Sequence, residues 1–168
     1  MSTDGTDCEM MAEPRAEHKQ LEKFVGTWRS KVQLWMGPGE PMQSAGTMVN
    51  TMDLGGRFLK QVYTGDSENS DFPDFAGRGF VGFNAFTNQY EGFWIDTAGT
   101  QMSFESGSFD QASNSWTMTG KVDMGPGNKV AKRSVITIIN DNEHTLEMFM
   151  DTPDAGETKV MHIHYTRA

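Results

Sequence analysis

The chain has 168 residues, the size of one domain, and 14 basic against 23 acidic side chains give a net charge of −9. That acidity argues against nucleic-acid and anionic-membrane partners, and no stretch of about 18 apolar residues reads as a membrane-spanning helix. The 13 Met, 11 Phe, 4 Trp and 3 Tyr add to the aliphatic residues an apolar set large enough for a folded core.

Residues 1–13 lack periodicity and read as a disordered leader ahead of one domain over 14–168. Cys8, within that leader, is the single cysteine, which excludes an intramolecular disulfide and suits a reducing, cytoplasmic compartment. No basic start followed by an apolar run suggests secretion. Pro14 suits the first turn of a short helix running to Phe24, because its missing amide proton has no partner to lose there. Leu21, Phe24 and Val25 form the apolar edge of that helix, and Gly26 ends it.

From Thr27 onward the period is two, with turn residues every eight to twelve positions. The pattern predicts about ten strands: 27–36, 44–53, 57–64, 77–84, 89–96, 101–109, 115–124, 129–139, 144–151 and 157–167. The clearest alternation is in 115–124, where Trp116, Met118, Val122 and Met124 share one face. All six prolines fall in turns, loops or the helix start, as ladder hydrogen bonding requires. Short loops between consecutive strands imply an antiparallel meander, and closure removes its edges. The expected architecture is all-β, a single up-and-down antiparallel barrel with a short N-terminal helix and Trp28 plugging one end.

Gly77-x-Gly79-x-x-Gly82 matches the dinucleotide fingerprint by letter, but Phe80, Val81 and Phe83 continue as a strand and no helix opens after it. The glycines are read instead as relief from crowding where a coiled strand bends. Met-Gly-Pro-Gly occurs at 36–39 and 124–127 as two similar turns, with no repeat around them.

The stretch His18 to Trp28, Leu54-Gly55-Gly56-Arg57-Phe58-Leu59 and the ending Lys159 to Arg167 resemble a bacterial family known as domain of unknown function 1579. The resemblance covers residues 18 to 167 and implies a calycin-like barrel, a lipocalin-like shape that often holds small apolar ligands. Gly26-Thr27-Trp28 fits the Gly-x-Trp found near the start of such barrels. Gly26-Thr27-Trp28-Arg29 is also similar to the start of nitrobindin-like haem barrels, whose ligating His stands near the end of the last strand. That likeness implies His162 or His164 as a haem ligand, the one cofactor alternative to a barrel without a cofactor. The Tyr165-x-Arg167 ending is similar to that of calycins which clamp an anionic headgroup.

On these grounds the expected partner is a small apolar or amphipathic molecule inside the barrel. Trp28, Tyr63, Trp94 and Trp116 supply aromatic walls with polar tips. Met148, Met150 and Met161 supply an adaptable apolar surface. Arg133 or Tyr165 would fix a polar end, Arg133 through a two-pronged hydrogen bond to a carboxylate. The strand of Arg133 alternates ambiguously, and Lys132 and Arg133 cannot both face inward. If Met161, Ile163 and Tyr165 point inward, His162 and His164 face solvent. Glu105 and Asp96, on adjacent strands, are read as outer-face charges, since exposed carboxylates are the rule. No Gly-x-Ser-x-Gly elbow is present, and no catalytic residue is assigned. A third reading has a filled barrel acting as an interaction module or homodimer, with Phe149 and Val160 on its outer face.

Overall fold

The computed structural model describes residues 13–68, 70–72 and 74–168. The leader, but for its last residue, and Cys8 lie outside these residues. Helix α1, Ala16–Gln20, tightens into a 3-10 turn over Leu21–Phe24. The helix is shorter than the expected Pro14–Phe24, because Arg15 is extended and its amide is taken by Nδ1 of the buried His18 at 2.9 Å.

Ten strands follow: β1 (Gly26–Leu34), β2 (Met42–Asp53), β3 (Phe58–Gly65), β4 (Ala76–Asn84), β5 (Gln89–Asp96), β6 (Ser103–Asp110), β7 (Ser115–Asp123), β8 (Lys129–Asn140), β9 (Glu143–Thr152) and β10 (Gly156–Arg167). Each pairs antiparallel with its neighbour in sequence, and β10 returns to β1 with Trp28 opposite Arg167 and Leu34 opposite Met161. The sheet is a closed up-and-down barrel, and its closure leaves no strand edge open to pairing with another chain. Register breaks in β8 at Ile138/Asn140 and in β10 at Lys159/Met161 take up the local bend.

Because side chains alternate, the registers fix which ones face inward. Trp28, Met48, Tyr63, Ile163 and Tyr165 make one buried cluster, while Leu21, Phe24, Leu59, Tyr90, Trp116 and Met118 make another beneath the helix. The helix end is tied down by side chains. Trp28, 1% exposed, donates its indole N–H to the Phe24 carbonyl at 2.8 Å, and Asn50 donates to the same oxygen at 3.0 Å. Tyr90 donates its hydroxyl toward Gln20 at 2.8 Å. Arg167 lies over the Trp28 ring, 4.1 Å from its centre, and donates to the Val25 carbonyl at 2.9 Å. The expected plug of helix and Trp28 is therefore present, and Arg167 belongs to it rather than to a ligand clamp.

On the outside, Phe80, Phe93 and Phe104 lie directly opposite one another across β4, β5 and β6 as an aromatic row. Phe149 also faces outward, between Arg133 and Lys159. Among the described residues no helix is long and apolar enough to cross a membrane.

Candidate functional site

The barrel end opposite the helix is formed by the ends of β1, β3, β5, β7 and β9 and the starts of β2, β4, β6, β8 and β10. Inward-facing Val32, Leu34, Trp94, Met148, Met150 and Met161 are here only half-buried, and Met148 stands directly opposite Met161. These side chains keep contact with solvent at this end, unlike the closely packed ones beneath the helix.

Trp94 lies flat against β4. A Cβ at Gly77 would strike its Cζ2, and one at Gly79 would sit 2.8 Å from its Cε3. The glycine pair of the fingerprint-like stretch thus makes a bed for an indole, and no phosphate-binding turn forms. The indole N–H donates to Asp96 at 2.9 Å, so this carboxylate faces inward with it.

A four-residue polar network faces inward on β6 and β8. Lys132 on β8 faces inward, its side chain 5% exposed, and its Nζ meets Glu105 Oε1 at 2.7 Å and Ser103 Oγ at 2.6 Å. Ser134 donates its hydroxyl to the same Glu105 oxygen at 2.7 Å. Gly120 on β7 stands between Glu105 and Lys132 in register, and its lack of a side chain lets the two charges meet across it. Burying a lysine is tolerable because its charge is paired and two of its three donors are used.

Two sequence expectations are corrected here. Arg133 faces outward, where it forms a two-pronged pair with Glu157 (2.9 and 2.6 Å) and lies over the Phe149 ring. That pairing holds its guanidinium even more firmly charged than usual. It does not reach the lumen, and Lys132 takes the inward place. Glu105 and Asp96 face inward instead of lying on the outer face.

Of the other candidates, Trp28, Tyr63, Trp116 and Tyr165 are buried within the packed clusters and contribute core. Tyr63 shares a 2.8 Å hydrogen bond with Ser30, and burial pushes the Tyr63 and Tyr165 hydroxyls to titrate above their usual range. Trp94, Met148, Met150 and Met161 are the candidates brought together around the open half. His162 and His164 stand on the outer face, beside Glu147 (3.7 Å) and Glu143 (3.2 Å) respectively. Lys159 also pairs with Glu147, and these contacts hold the Glu147 carboxyl below its usual range. A haem inside the barrel would find neither His162 nor His164 facing it, so the last-strand residues do not fit that group. His164 instead borders an outer groove of about 610 Å³ with Arg29, Lys31, Thr47 and Thr64.

The inward histidine is His144 on β9. Its ring stacks on Tyr165 (4.5 Å, 16°) and meets the edges of Trp28 and Phe24. Its Nδ1 is buried without a hydrogen-bond partner among the described residues, and a recess of about 270 Å³ bordered by Ile138 and Arg167 opens beside it. Burial, aided by the charge of Arg167, lowers its pKa to about 3, so the imidazole is neutral. Among the described residues no group of three or more His, Cys, Asp or Glu is arranged to hold a metal ion.

Sequence reasoning missed the Lys132–Glu105 network because β8 alternates ambiguously. The signal lay in its neighbour. Counting back from the hairpin turn that pairs Asp123 with Lys129 sets Lys132 opposite Gly120, on the Trp116 face.

The family described as "Protein of unknown function (DUF1579)" matches residues 13–167, and the chain belongs to that family. No curated protein matches it. Among solved structures, it is similar to Rv2717c from M. tuberculosis, with 12% identity over 93% of this chain and 99% of that one and a TM-score of 0.64. It is also similar to the S-type phycobiliprotein lyase CPES from Guillardia theta, with 10% identity over 95% of this chain and 96% of that one and a TM-score of 0.62. At these identities the likeness is one of fold.

Proposed function

We propose that this DUF1579-family barrel binds one small, largely apolar molecule in the open half of its lumen. The observation that carries the reading is the Lys132–Glu105 pair, inward-facing among Met148, Met150 and Trp94. A buried ion pair contributes little net stability compared with apolar residues of similar size, so fold stability alone does not call for one. An apolar wall with a few convergent polar groups is what a small-molecule site requires. The methionines let that wall adapt its shape.

The test combines native mass spectrometry of the purified protein with titration by the neutral dye Nile red. The expected result is saturable one-to-one binding that weakens at least tenfold in Met148→Trp, while the variant melts within a few degrees of the parent. Absence of saturable binding, or equal affinity in Met148→Trp, overturns the reading. A Soret band on adding hemin that vanishes in His162→Ala/His164→Ala replaces it with a haem-binding one.

A further inference from the structure

Resting on that lumen reading, we infer that Glu105 sets the charge of the ligand: the site takes a molecule with an uncharged polar end, a hydroxyl or carbonyl, and rejects carboxylates. Lys132 by itself would make the lumen an anion site. Its charge is cancelled at 2.7 Å by Glu105, which Ser134 holds in place through the same oxygen. The ammonium spends a second donor on Ser103 and keeps a third, and Glu105 Oε2 has no partner among the described residues. The Glu105 side chain faces inward and is 18% exposed against 5% for Lys132, so the carboxylate is the more accessible member of the pair.

The pair therefore offers one donor and one acceptor without net charge, the complement of an alcohol or carbonyl. A carboxylate reaching for the free ammonium proton would be brought against Glu105, and an alkylammonium reaching for Oε2 would be brought against Lys132. Two like charges a few ångströms apart beside so largely buried a pair repel strongly. Asp96, nearer the mouth, adds a second negative charge, its oxygens already engaged by the Trp94 indole and the Ala98 amide. The geometry works against anions at both levels.

The experiment is calorimetric titration of the full chain with decanol, decanoate and decylamine at one pH and salt concentration. Decanol should bind at least tenfold more tightly than decanoate. Glu105→Gln, which leaves the lysine charge unbalanced, should tighten decanoate at least tenfold relative to decanol. Lys132→Gln, the mirror change, should favour decylamine and weaken decanoate further, and it keeps the test open if the first variant does not fold. Decanoate binding as tightly as decanol in the parent, or an unchanged order in the folded variants, overturns the inference. Binding of none of the three overturns the lumen reading itself, and this inference with it.

Discussion

His144 should make the barrel acid-sensitive through one side chain. Its imidazole titrates near 6.5 when free and near 3 in the folded chain, because burial among Phe24, Trp28 and Tyr165 disfavours the cation and Arg167 repels it. The unfolded chain therefore binds a proton between these values while the folded chain does not, so stability rises with pH across this window and falls on acidification. The full pKa difference of about 3.5 corresponds to about 5 kcal/mol, of which about 2 kcal/mol is lost between pH 7 and pH 5. His144→Phe keeps the ring packing, removes the buried nitrogen without a partner and abolishes this titration. His18, whose pKa burial also lowers, remains in both proteins and cancels. Urea unfolding of parent and variant at pH 7, 6 and 5 should thus diverge by about 2 kcal/mol, the parent losing more. Parallel curves, or an NMR titration in which the His144 ring protonates near pH 6.5, would refute the reasoning.

Two further substitutions probe the two ends of the barrel. Trp28→Ala removes a side chain that is 1% exposed and tied to Phe24, and should cost about 3–5 kcal/mol in denaturant unfolding. An unchanged melting temperature would remove Trp28 from the plug. Gly77→Ala drives a methyl group into the Trp94 indole and should cost about 1–3 kcal/mol while shifting the tryptophan emission. Emission and stability equal to the parent's would show that Trp94 does not rest on this glycine.

The fold was legible because its determinants are local. Alternation, turn residues and the absence of proline from strands depend only on neighbours in sequence, and each expected strand from 27–36 to 157–167 has its counterpart within a few residues. The helix was overextended because a side-chain bond from His18 to the Arg15 amide, invisible in periodicity, delays its start. Orientation within strands was harder. On β7 the apolar set Trp116, Met118 and Val122 declares its face, whereas on β8 both faces carry apolar residues and adjacent Lys132 and Arg133 compete for the interior. The choice is made by partners on other strands. Glu157 and Phe149 offer Arg133 a place outside, and Glu105, Ser103 and the gap above Gly120 offer Lys132 one inside. Base rates for carboxylates misplaced Glu105 for the same reason, since they ignore a cation twenty-seven positions away in the chain.

This division of labour separates stability from recognition along the barrel axis. At the helix end, Leu21, Phe24, Trp28, Leu59 and Trp116 are closely packed, and removal of any of them leaves a cavity that its neighbours cannot fill. Toward the mouth, Met148, Met150, Met161 and Trp94 are only half-buried, so changing one of them disturbs fewer contacts and leaves the plug intact. Ligand-directed substitutions there are consequently separable from folding, with the exception of Lys132 and Glu105. Losing either member of that pair leaves the other charged and unpaired in the barrel, so the groups best placed to choose a ligand are also the ones whose single replacement tests the fold. Neutralising both together removes that penalty, and the Glu105→Gln/Lys132→Gln chain should be more stable than either single variant.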